Sequence, residues 1–145
     1  ILVEERKPVA VYESSFFIDK EGFVFEYGSD PAMVNIKNPA AEAPKIGQRV
    51  VEEELMNNLG RIISRVKKEG LDLLVLAENR INAGFKKENL SWDVYFNPNK
   101  SIEPQIDKLE IILQEKYSSG RMQNVGYVDL RFEKVYVGLK NPAEE

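Results

Sequence analysis

The stretch whose reading decides the fold is Val125-Gly126-Tyr127-Val128-Asp129-Leu130-Arg131-Phe132-Glu133-Lys134-Val135-Tyr136-Val137-Gly138-Leu139. From Val125 to Phe132 the side chains alternate. Tyr127, Asp129 and Arg131 fall on one face, and Val128, Leu130 and Phe132 on the other, the period of two expected of a strand. Val135 to Leu139 is β-branched and aromatic and predicts a last strand, giving a closing strand pair. Only Lys140 and a polar tail follow it.

Working back from this pair, Pro104 to Tyr117 predicts a helix. Its stripe is Ile106, Leu109, Leu113 and Tyr117, with Pro104 in the first turn and Gly120 as the stop. Leu90 to Phe96 alternates cleanly, with Leu90, Trp92, Val94 and Phe96 on one face. Asn97-Pro98-Asn99-Lys100 then marks a turn. Leu71 to Glu78 is almost continuously apolar and predicts a central strand, followed by a turn-like Asn79 to Gly84. Gln48 to Lys68 predicts the clearest helix, with Val51, Leu55, Leu59, Ile62 and Val66 at helical spacing and Gly70 ending it. Gly28 to Gly47, rich in Pro, Ala and Asn, has no period and reads as a long surface loop. Ser15 to Ile18 and Phe23 to Tyr27 flank Asp19-Lys20-Glu21-Gly22 and predict a hairpin. Ile1 to Tyr12 reads as extended, with Pro8 at an edge or a break. The expected class is α+β: an antiparallel or mixed sheet with two main helices on one face and the closing pair at the sheet edge.

Composition narrows the function. The chain of 145 residues suits one domain, and its 43% hydrophobic content supports a core. There is no histidine and no cysteine. That removes Ser-His-Asp and Cys-His chemistry, thiol nucleophiles, disulfides, iron–sulfur ligation and most zinc sites. No glycine-rich phosphate cradle is present, and no cofactor is expected. Acidic and basic residues are mixed around a net charge of -4, with no basic stripe, so nucleic acid is not expected as a partner. No apolar run approaches the length of a membrane span or a signal peptide. The chain starts at Ile1 in a strand-like pattern, as expected of a piece of a longer protein.

Carboxylates are the remaining catalytic option. Asp19 and Glu21 fall in a hairpin turn, where acids are common for conformational reasons. Asp129 shares a face with Arg131, which predicts an ion pair on a solvated surface. Glu52 to Glu54 reads as a solvated first helical turn rather than a metal site, because consecutive residues point in different directions. Trp92 is expected in the core, as are most of Phe16, Phe17, Phe23, Phe25 and Tyr27. No enzyme is therefore expected. The last strand carries the functional expectation. At a sheet edge it offers unpaired backbone groups, and such edges bind partners by strand addition.

The residues also resemble a known family. Val3-Glu4-Glu5-Arg6-Lys7-Pro8-Val9-Ala10-Val11-Tyr12, followed by Phe17-Ile18-Asp19-Lys20-Glu21-Gly22-Phe23-Val24-Phe25, resembles the bacterial division proteins FtsQ and DivIB. There a strand bearing Glu and Arg and ending in Pro-x-Ala leads into a hydrophobic-Asp-x-x-Gly-x-x-Phe hairpin. Ala43-Pro44-Lys45-Ile46-Gly47 is a loose echo of the family's Leu-Pro loop. Tyr127-Val128-Asp129-Leu130-Arg131-Phe132 is similar to its hydrophobic-Asp-Leu-Arg-aromatic signature. The family's Leu-Gly strand end before the last helix is missing, since Ser101-Ile102 runs almost directly into Pro104.

The resemblance implies that residues 1–12 are the last strand of a preceding POTRA domain or a linking strand. It implies that residues 13–145 are the family's β domain with a short polar tail. It further implies a non-catalytic scaffold of the divisome, on the extracytoplasmic face of the cell membrane at the septum, whose parent is anchored by one membrane helix. Its partners would be the FtsB (DivIC) and FtsL division proteins, recruited to influence septal peptidoglycan synthesis. The implied partner-binding positions are Arg131, Phe132, Val135, Tyr136, Val137, Gly138 and Leu139. The alternatives are a domain of another envelope protein, either a POTRA-type transport component or a cell-wall-binding module, and a carboxylate hydrolase acting on peptidoglycan.

Overall fold

The structure is a computed structural model and describes residues 5–140. Among the described residues nine strands form one mixed sheet with two α-helices on one face, an α+β fold. The strands are β1 (Ala10–Tyr12), β2 (Phe16–Ile18), β3 (Val24–Tyr27), β4 (Asn35–Lys37), β5 (Leu71–Ala77), β6 (Arg80–Lys87), β7 (Leu90–Phe96), β8 (Val125–Asp129) and β9 (Tyr136–Leu139). The helices are α1 (Glu53–Val66) and α2 (Ile102–Ser118). Across the sheet the order is β3, β2, β1, β4, β5, β6, β7, β8, β9.

The helices lie in two of the three parallel connections; the third, from β1 to β4, holds the β2–β3 hairpin instead. β4 and β5 are parallel and joined through α1, and β7 and β8 are parallel and joined through α2. A parallel pair cannot be closed by a tight turn, so each join needs a crossover long enough to hold a helix. The β5–β6 and β6–β7 joins are antiparallel and use two-residue turns, with Asn79 and Glu88 in the left-handed region at φ 60° and 57°.

One apolar cluster lies between the sheet and the helices. Met56, Leu59, Ile62 and Val66 of α1 and Ile102, Ile106, Leu109 and Leu113 of α2 meet Leu74, Ile81, Ala83, Phe85, Trp92, Val94, Phe96 and Val128. Trp92 stacks on Phe85 with ring centroids 5.3 Å apart. Arg65 ties the helices together, donating to Glu103, Asp107 and Glu110 of α2 at 2.7–2.9 Å. Buried Gln105 closes the turn before α2. Its Nε2 donates to the carbonyls of Asn97 and Ser101, and its Oε1 accepts the Asn97 N–H. Gly70, at φ 100°, ends the α1 segment in a left-handed cap, and a Cβ there would collide with the Lys86 carbonyl.

Several expectations shift. The Gly28 to Gly47 loop contains β4, whose Ile36 is buried next to buried Val34. This strand is short, and its neighbours stabilise it: Val11 N–H donates to the Val34 carbonyl and Glu13 N–H to that of Ile36. Asn79 to Gly84 is not a turn. Apart from Asn79 it belongs to β6, where Ile81, Ala83 and Phe85 alternate inward. α1 begins at Glu53 rather than Gln48, and Met56 joins its buried face while Leu55 is only half-buried. Pro8 is a break rather than an edge: β1 starts at Ala10, lies between β2 and β4, and is fully buried. The extended reading of residues 1–4 and the tail at 141–145 lie outside the described residues.

Candidate functional site

A sheet of this kind has two edges, and the local sequence treats them differently. β3 forms one edge, and the chain returns to cover its start. The Val24 N–H donates to the Gln48 carbonyl, Gly47 N–H donates to the Val24 carbonyl, and Phe23 bridges Arg49. β9 forms the other edge and pairs only with β8 among the described residues. Val128 faces Val137, Asp129 faces Tyr136 and Tyr127 faces Gly138.

β8 carries the irregularity in this pair. Its register slips between Val125 and Tyr127, which puts an extra residue, Gly126, on the β8 side and leaves β9 regular. Lys140 N–H donates inward to the Asn124 carbonyl at 2.9 Å. In a regular antiparallel strand the inward and outward backbone groups alternate. Val137 and Leu139 therefore turn their N–H and C=O outward.

An aromatic surface flanks this edge. Tyr127, Phe132, Tyr136 and Leu139 are 38%, 51%, 52% and 71% exposed, a concentration of large apolar groups at one end of the sheet. The rings are ordered by one another. Tyr95 of β7 stacks on Tyr127 at 5.5 Å, and Phe132 meets Tyr136 edge-on at 6.0 Å. Gly138 leaves the space that the Tyr127 ring occupies, since a Cβ there would overlap it. The Arg80 guanidinium lies 5.2 Å from the Tyr95 centroid, and that of Arg131 lies 5.6 Å from Tyr95 and 5.3 Å from Phe132.

Not all the sequence-derived positions lie on the strand. β8 ends at Asp129, and Arg131 to Lys134 form a bend rather than a continuation of the ladder. Val135 leads into β9 without belonging to it, and packs against the core. The cause is Asp129. Its Oδ1 accepts the backbone N–H of Arg131 at 3.1 Å, an Asx-type turn, and both carboxylate oxygens take the Arg131 guanidinium at 2.9 and 2.7 Å. Asp129 is only 6% exposed, so the pair is a partly buried clamp rather than a solvated surface pair. Hydrogen bonding from Arg131, opposed by burial, holds the Asp129 carboxyl below the usual range. Lys108 of α2 fastens the same bend through the Glu133 carbonyl. The structure brings Arg131, Phe132 and Tyr136 together and sets Tyr95 and Arg80 beside them, two residues that the sequence reading did not place at this edge.

The other carboxylates considered for chemistry also have structural work. Asp19 is buried. Its Oδ1 accepts the N–H groups of Glu21 and Phe23, and its Oδ2 accepts Arg6. Burial raises its carboxyl, but these three donors outweigh that and lower it. Arg6 and Arg49 also lie over the Phe23 ring, 4.7 and 4.5 Å from its centroid. Glu52 to Glu54 are exposed, and among the described residues no three acidic side chains converge as a metal-binding group. No helix of the described residues is long and apolar enough to cross a membrane. No protein-family model, no curated protein and no solved structure matches the chain.

Proposed function

We propose that the chain is a non-catalytic binding domain that captures an extended segment of a partner protein as a tenth strand beside β9. The observation that carries this reading is the contrast between the two edges: the start of β3 is covered by its own chain, whereas β9 keeps outward Val137 and Leu139 backbone groups along its length beside an exposed aromatic surface. Main-chain hydrogen bonds would supply affinity in such a complex, and side-chain pockets selectivity. Tyr95, Tyr127, Phe132 and Tyr136, with Arg80 and Arg131, have the composition enriched at binding hot spots. The clamping of Asp19 and Asp129 by arginines leaves neither carboxylate as a free base, which favours binding over hydrolysis.

The resemblance to FtsQ and DivIB supplies the partner. In this reading the domain belongs to a divisome scaffold on the extracytoplasmic side of the bacterial membrane. Its parent carries one membrane helix, and the added strand comes from an FtsB (DivIC) or FtsL-type protein. Isothermal titration against the soluble part of FtsB or DivIC tests this. Leu139→Pro removes an outward donor at the end of β9 without touching an inward bond. Losing that bond and orphaning a partner carbonyl costs about 1–3 kcal/mol, a loss of roughly 5- to 150-fold in affinity. Unchanged affinity in a folded Leu139→Pro variant rules out strand addition, and no binding by the native chain rules out the division partner.

A further inference from the structure

We infer that the sheet carries a second binding site, on the face away from the helices, for a short peptide with both termini free. The site is an open trough of about 600 Å³ that crosses β5 to β8 and reaches Lys140 at the end of β9. It uses none of the outward backbone of β9, so it stands apart from strand addition.

Two glycines leave the floor of the trough bare. Gly84 takes an outward position between buried Ala83 and Phe85, and Gly126 is the extra residue of β8. Charges line the trough in two rows. Asp72 and Asp93 flank Gly84 from either side. Asp72 is the extra residue of β5, and its Oδ1 lies 3.7 Å from where a Gly84 Cβ would stand. Asp93 faces Gly84 from β7. Two residues further along, Lys86 faces Ser91, and Lys140 closes the same end of the trough beside Gly126.

None of these four side chains has an oppositely charged partner within 4.0 Å among the described residues. Asp19 and Asp129, by contrast, each hold an arginine. Burial raises the Asp93 carboxyl, and no cation beside it offsets the lost water. A charge left uncompensated in a concave site is better explained by a ligand than by the fold. An ammonium over Gly84 pairs with both aspartates, and a carboxylate one row on is within reach of both lysines. Residues two apart on a strand lie ~6.6 Å apart. Two extended residues of a peptide span about the same length, ~6.6–7.2 Å. A dipeptide therefore matches the two rows, and a free amino acid is too short.

The probe is the dipeptide alanyl-alanine, titrated into the labelled native chain and followed by NMR. It should shift the Gly84 and Asp93 amides. Its N-acetylated and C-amidated forms, and free alanine, should each need at least about tenfold higher concentration, because each loses a charged contact. Gly84→Ala tests the seat of the ammonium. Its Cβ meets Leu73 Cβ at 3.4 Å and Asp72 Oδ1 at 3.7 Å, ordinary contacts that the strand accepts while the methyl fills the seat. Dipeptide binding should fall at least about tenfold in this variant and in Asp93→Asn. Asp93→Asn should keep or raise the melting temperature at neutral pH, because it removes a charge that folding leaves uncompensated.

Unmoved trough amides, or shifts confined to β9, overturn the inference. So does equal binding of the acetylated or amidated dipeptide, or undiminished binding to folded Gly84→Ala. A lower melting temperature in Asp93→Asn makes Asp93 part of the fold and overturns it too.

Discussion

Gly138→Ala probes the proposed binding surface without touching the backbone ladder. The added Cβ falls inside the envelope of the Tyr127 ring, at atoms Cδ1, Cε1 and Cζ. The obstruction is the far end of a side chain that is already 38% exposed, so the ring can swing outward instead of forcing the strand apart. That movement breaks the Tyr95–Tyr127 stack at 5.5 Å, worth about 0.5–1.5 kcal/mol. Against this, replacing glycine in a strand recovers roughly 0.5–1 kcal/mol of backbone entropy. The two nearly offset one another, so urea denaturation should show a loss of at most about 1 kcal/mol. Near-ultraviolet circular dichroism should change in the tyrosine region, and partner affinity should fall by more than stability does. A stability loss above about 3 kcal/mol would mean that the ring cannot move and the strands separate instead, refuting this account of Gly138.

Stability should also decline in acid for a specific reason. The Asp129 and Asp19 carboxyls are both lowered in the folded chain, so their contribution is complete above the ordinary aspartate pKa of about 3.9 and is lost as pH falls through the folded values. Asp129→Asn should flatten the acid limb of a thermal-melting profile while Asp129 and Arg131 no longer pair; an unchanged limb would assign the acid sensitivity elsewhere. Leu59→Ala removes a fully buried side chain from the α1 face and should cost about 2–5 kcal/mol in urea denaturation, against under 1 kcal/mol for exposed Ile111→Ala.

Elements that bury a face were legible in the sequence, because burial writes a period into it. α1, α2, β5, β7 and the β2–β3 hairpin follow from spacing alone. β4 and β6 did not, for different reasons. β4 is three residues long and held by its neighbours, so proline and asparagine around it outweighed the Val34 and Ile36 alternation. β6 carries Asn82 and Gly84 on the face away from the helices, and these turn-forming types masked the inward Ile81, Ala83 and Phe85. At the candidate site the sequence identified β9 and its edge position. It overextended β8 through Phe132, because Asp129-Leu130-Arg131 satisfies a strand pattern and an Asx turn equally well. Only the bidentate closure of Arg131 on Asp129 separates the two. Tyr95 and Arg80 were out of reach, since they join the site through cross-sheet neighbours that no local window contains.

β4 gives the sheet an uneven cross-section. On one side it meets β1 through Val11 opposite Asn35 and Tyr12 opposite Ile36, and on the other it meets β5 through Asn35 to Lys37. The β5–β6–β7 ladders are far longer. Treated as a beam, the molecule has its waist at β4, and backbone bonding there is the first to yield under shear. Amide protection should accordingly be lower in β1 to β4 than in the meander, as sub-global opening follows the weakest join. β9 stands on the far side of the meander from that waist, joined to it through β8.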